Sequence, residues 1–82
     1  MQTIVLERNQ DDPVTEEYLE NMRLKAEACF EVNDVVRKAT YVSQDGKRFV
    51  CVFEARDLQS VKRSLESVGM DYAHLWVAGH AF

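Results

Sequence analysis

The sequence predicts one α+β domain with its elements in the order βαββαβ. Three observations predict it. Four short segments rich in β-branched and aromatic residues alternate with two stretches whose apolar residues recur at three- and four-residue steps. An Asp45-Gly46 pair separates the second and third strand-like segments, where it favours a hairpin. Each helical stretch opens on a capping residue, Thr15 or Asp57, and Gly69 follows the second.

Thr3 to Arg8 is rich in β-branched residues and reads as strand one, ended by the polar turn cluster Asn9-Gln10-Asp11-Asp12-Pro13. Helix one runs from about Thr15 to Phe30. Thr15 is its N-cap, and Glu16 and Glu17 set negative charge at the positive end of the helix dipole. Leu19, Met22, Ala26 and Cys29 make one apolar stripe, with Phe30 adjoining. Asn33-Asp34 closes that segment.

Val35 to Ser43 is strand two and Arg48 to Ala55 strand three. Gln44-Asp45-Gly46-Lys47 between them suits a tight type I′ turn, whose two central residues need positive φ. Asp57 caps helix two, in which Leu58, Val61, Leu65 and Val68 keep a helical step. Gly69 stands where a left-handed residue ends a helix. Tyr72 to Gly79 is strand four. The resulting order is the split βαβ arrangement of a ferredoxin-like sandwich, with two helices on one face of a four-stranded antiparallel sheet.

At 82 residues the chain is one domain, residues 1–82, near the lower end of what folds alone. Such a chain buries only roughly 60–65% of the surface its unfolded form exposes, so self-association would add useful burial. Net charge is −4, and Lys and Arg occur as isolated pairs such as Arg37-Lys38 and Lys62-Arg63. Nucleic-acid binders take most of their affinity from a basic face, so a nucleic-acid partner is not expected. No apolar run approaches the ~20 residues of a membrane helix, and the N-terminus lacks the pattern of a signal peptide. The expected setting is cytoplasmic, with Cys29 and Cys51 reduced and buried as small hydrophobes.

Strands three and four carry the functional information. One parity of strand three holds Phe49, Cys51, Phe53 and Ala55, and the other Arg48, Val50, Val52 and Glu54. In strand four, Leu75 and Val77 oppose Tyr72, His74, Trp76 and Ala78. A sheet with one wet face alternates apolar with polar, whereas these strands are apolar on both faces at their centres. Two helices cover one face only. The other needs a partner sheet or a bound apolar ligand, and the expected cover is a second copy, in a closed two-fold homodimer enclosing a barrel-like space between the sheets, a dimeric α+β barrel.

The stretch Tyr41–Trp76 resembles a family of small bacterial proteins of unknown function, some members of which are described as nickel-binding. The matching features are Ser43-Gln44-Asp45-Gly46, Cys51-Val52-Phe53-Glu54-Ala55, and Asp57 with Val61 and Arg63 leading to Gly69. The resemblance implies a ferredoxin-like fold, a dimer, and a divalent metal such as nickel as the cofactor to consider. The chain departs from the family's pattern at Arg56, where Pro is common before the helix. It also departs at Ser64, where His is frequent, and at Met70-Asp71, where Leu-Pro is favoured. With that helix histidine gone, no metal ligand carries over.

The residues themselves offer Tyr41, Glu54, His74 and Trp76 as a ligand-binding set on the bare face: an aromatic wall with one carboxylate and one imidazole. Imidazoles as a class exchange protons near neutral pH, and Glu54 would orient this one. A plain interface with satisfied polar edges is the competing reading. Tyr41 joins the set only in one register, since a one-residue slip turns it to the other face. His74 and Glu54 are the candidate metal ligands. His80 follows six strand residues, or ~20 Å, later, too far to share an ion with His74 in one subunit. Cys51 has apolar neighbours, which raise a thiol's pKa and quiet it. No catalytic residue is assigned.

Three functions are therefore compared. The first is a homodimeric binding protein holding a small ligand or a divalent metal between its sheets. The second is a cofactor-free dimeric α+β barrel enzyme, oxygenase- or isomerase-like. The third is a structural interaction module whose sheet face is simply the interface.

Overall fold

The computed structural model describes residues 1–82 and has β1 (Gln2–Asn9), α1 (Glu16–Val32), β2 (Val36–Val42), β3 (Arg48–Ala55), α2 (Leu58–Ser67) and β4 (His74–Ala78). The strands form one sheet in the order β2-β3-β1-β4, with every neighbouring pair antiparallel. β1 and β2 therefore run parallel to each other on either side of β3, and β3 and β4 likewise flank β1. This is the ferredoxin-like topology.

Alternation along the two central strands explains the core. Ile4 and Leu6 of β1, with Phe49, Cys51, Phe53 and Ala55 of β3, point to the helix layer and are buried. Ala26 and Phe30 of α1 and Val61 and Leu65 of α2 meet them. The Phe30 and Phe53 rings stand edge to face at 5.1 Å between centroids. Each large side chain so buried contributes about 1.5–3 kcal/mol. One small polar residue joins the helices: Ser64 Oγ lies 2.9 Å from the Ser60 carbonyl oxygen within α2 and 3.3 Å from that of Cys29 on α1. No buried side-chain nitrogen or oxygen lacks a partner.

The caps form as the sequence predicts. The Tyr18 N–H donates to Thr15 Oγ1 at 3.1 Å, and the Ser60 N–H donates to Asp57 Oδ1 at 2.8 Å. Gly69 takes a φ of 66°, and the Met70 N–H returns to the Leu65 carbonyl at 3.0 Å, closing a Schellman motif. Helix α1 ends in the same motif without glycine. Asp34 holds a φ of 56°, and the Val35 N–H donates to the Phe30 carbonyl at 2.7 Å.

Several details differ from the sequence reading, beginning with strand ends: β1 runs on to Asn9, and β2 spans Val36–Val42 rather than Val35 to Ser43. Helix α1 continues past Phe30 to Val32, because the cap lies at Asn33 and Asp34. Strand β4 begins at His74, so Tyr72 is not on the bare face but packs from the preceding loop against the core. Cys29 is half-buried rather than buried, since it flanks the apolar stripe. The β2–β3 connection is not a type I′ turn, which needs positive φ at both central residues, because Gly46 alone has it, at 72°. Instead, Asp45 Oδ1 accepts from Ser43 Oγ and from the Lys47 N–H, while the Ser43 N–H donates to the Arg48 carbonyl, giving a five-residue loop, 43–47. Gly46 also lies against Pro13, and its carbonyl accepts from the Val14 N–H at 2.7 Å. No helix is long and apolar enough to cross a membrane.

Candidate functional site on the open sheet face

The ladder register maps the face that the helices leave uncovered. Trp76 pairs with Val5, Val5 with Val52, and Val52 with Ala39, so one wholly apolar row crosses all four strands. On one side of it runs the row His74, Glu7, Val50 and Tyr41. On the other side runs the row Ala78, Thr3, Glu54 and Val36. Tyr41 and Trp76 remain 65% and 46% exposed, as large aromatic surfaces on the two edge strands.

Charges sit only at the two ends of this face. Arg48 Nη2 lies 3.4 Å from Glu7 Oε1 at one end, and Lys38 Nζ lies 3.5 Å from Glu54 Oε2 at the other. Such solvated pairs add at most about 1 kcal/mol each to stability. Their consequence is electrostatic, because the face is neutral on a protein of net charge −4. The surplus acid lies on other surfaces, including Glu16, Glu17, Glu20, Glu27 and Glu31 of α1.

Tyr41, Glu54, His74 and Trp76 thus all lie on the open face, but the register spreads them across it. Tyr41 and His74 share a row at opposite edges, three strand spacings or about 14 Å apart. His74 and Glu54 lie two strands and four residues apart, about 16 Å, so one subunit does not bring them to a common ion. Nor do three or more His, Cys, Asp or Glu side chains cluster to hold a metal within the chain. His80 lies beyond β4 and is exposed. The side chain beside His74 is Glu7, directly opposite on β1. Sequence inspection passed over Glu7 because strand one was read without its partner, although the β1–β4 pairing of this topology points to it.

Among solved structures, SCO4226 from Streptomyces coelicolor A3(2) is similar to this chain with a TM-score of 0.85, over 98% of this chain and 99% of that one, at 12% sequence identity. At that identity the likeness concerns the fold alone. No family model and no curated protein matches the sequence.

The remaining candidates lie elsewhere. Cys51 faces the helices, where burial pushes its thiol pKa up, against the lowering effects of the Thr40 hydroxyl at 3.4 Å and the Arg37 charge. None of the four surface clefts includes Val5, Val50, Val52, His74 or Trp76. The open face is flat and apolar at its centre; at one margin His74 stands across the ladder from Glu7, whose carboxylate is ion-paired with Arg48.

Proposed function

We propose that the chain is a homodimeric binding protein that pairs through its open sheet face and holds a small ligand, or a divalent metal such as nickel, between the two sheets. The observation that carries this reading is the uncovered row Trp76, Val5, Val52 and Ala39. An apolar strip crossing a whole sheet marks an interaction surface. A second copy suits it because both ends of the face are charge-balanced, so two acidic chains meet there without like charges opposed. The His74–Glu7 pair, flanked by Trp76, supplies the polar groups of the enclosed space, with Tyr41 and Glu54 at its far margins. A metal would take ligands from both subunits. The resemblance of Tyr41–Trp76 to bacterial proteins with nickel-binding members supports nickel as the first metal to test. Two free cysteines fit a cytoplasmic setting.

Native mass spectrometry of protein purified without a metal-affinity tag, with and without added nickel, zinc and copper, tests the reading. Dimers retaining metal support the metal form, and metal-free dimers leave an organic ligand. Monomers under all conditions overturn it.

A second reading rests on Glu7 standing opposite His74. A carboxylate beside an imidazole can orient it for proton transfer, as a cofactor-free enzyme of this architecture would require. Loss of turnover in His74→Ala, with dimerisation intact, would favour this reading over simple binding.

A further inference from the structure

The sheet has two free edges, and they differ. Along β2 the ladder slips between Arg37 and Ala39, and the bulge carries Lys38 next to Arg37. Bulges and cationic side chains are the devices by which proteins keep an edge strand from pairing with another chain. Strand β4, His74-Leu75-Trp76-Val77-Ala78, has none of them. It contains no Lys, Arg, Asp, Glu or Pro, and its register against β1 is unbroken over all five residues. Its outer backbone groups have no strand beside them. Both faces of this edge are also apolar and open: Trp76 on the bare face and, on the helix face, Val77, which remains 47% exposed.

We propose that the β4 edge is a second self-association surface, on which the β4 of another copy docks antiparallel about a two-fold axis at Trp76. That register is the one that pairs all five residues. Trp76 meets the partner's Trp76, Leu75 meets the partner's Val77, and His74 meets the partner's Ala78. Every helix-face pair is then apolar against apolar, and no like charges are opposed along the strand. The contact is isologous, as a two-fold interface requires, and it joins two four-stranded sheets into one continuous sheet. It does not depend on face-to-face pairing. Where both occur, edge pairing links one face-paired dimer to the next.

Val77→Lys tests the edge without touching the open face, and Val52→Lys tests the open face without touching the edge. Sedimentation equilibrium gives the masses, with circular dichroism to establish that each variant is folded. Amide exchange of wild-type β4, from dilute to concentrated protein, is the second measurement and needs no variant. The expected result is a limiting mass for Val77→Lys at or below that of the face dimer and lower than that of the wild type, together with β4 amides that become protected as wild-type concentration rises. Equal masses for wild type and Val77→Lys, with β4 exchange independent of concentration, would overturn the proposal. If only Val52→Lys halves the mass, edge pairing fails and the face dimer stands. If only Val77→Lys does, the face dimer fails and edge pairing stands.

Discussion

His74 stands directly opposite Glu7 across the β1–β4 ladder, on the uncovered face of the sheet. Directly opposed residues have Cβ atoms about 4.5–5.5 Å apart, which puts both side chains within reach of one ligand, with the Glu7 carboxylate also held 3.4 Å from Arg48 Nη2. Glu54, about 16 Å from His74, belongs to the other end of the face.

For ligand or metal uptake, His74→Ala and Glu7→Gln should each weaken binding by at least about tenfold, and the double variant little further, because neighbours in one site are not additive. Glu54→Gln should leave the same binding within about twofold. Calorimetric titration with nickel chloride measures the wild type and all four variants. Equal losses from Glu54→Gln and Glu7→Gln would contradict the assignment.

Acid should weaken the fold partly through Asp57. The Ser60 N–H, and then the Ser60 hydroxyl, hold this carboxyl below its usual pKa. A depressed pKa in the folded state means that the stabilisation is present above the unfolded value, about 3.9, and is lost as pH falls through the folded one. Asp57→Asn keeps a capping side chain but cannot titrate. Its denaturation midpoint should fall less steeply than that of the wild type below about pH 4.

The core prediction concerns Phe53, which is buried at the middle of β3 against Phe30. Phe53→Ala should cost about 3–5 kcal/mol, a large part of the stability of a domain this small. Urea denaturation followed by circular dichroism measures the loss.

A gain is expected at Asp34, whose φ of 56° is unfavourable for an L-residue with a side chain. Asp34→Gly should raise stability by about 0.5–1 kcal/mol, the relief of that strain less the extra chain entropy of glycine. A lower melting temperature would show that the Asp34 side chain contributes more than its backbone costs.

The element order was legible because its signals are local. Thr15, Asp57 and Gly69 punctuate the helices by their own hydrogen bonds, and the alternation Phe49, Cys51, Phe53, Ala55 already separates the two faces of β3. Glu54, His74 and Trp76 could likewise be assigned to the open face by parity, whereas Tyr41 could not, because its face depends on a β2 register that slips between Arg37 and Ala39. Their positions on that face could not, because distance across a sheet depends on strand order and register, which no single segment encodes. Glu7 escaped notice for the same reason. The β2–β3 turn was misread because Asp-Gly also suits a longer loop when an Asp carboxylate binds backbone and hydroxyl groups around it, as Asp45 does.

The measurement that bears most directly on the central claim is the solution mass of the wild type beside Val52→Lys. Val52 sits in the middle of the apolar row, and a lysine there would bury an unpaired charge against the partner sheet. The account predicts a wild type of at least twice the chain mass and a folded Val52→Lys of at most half the wild-type mass, with face-to-face association weakened by more than about a hundredfold. A monomeric wild type, or a Val52→Lys protein of unchanged mass, would contradict it.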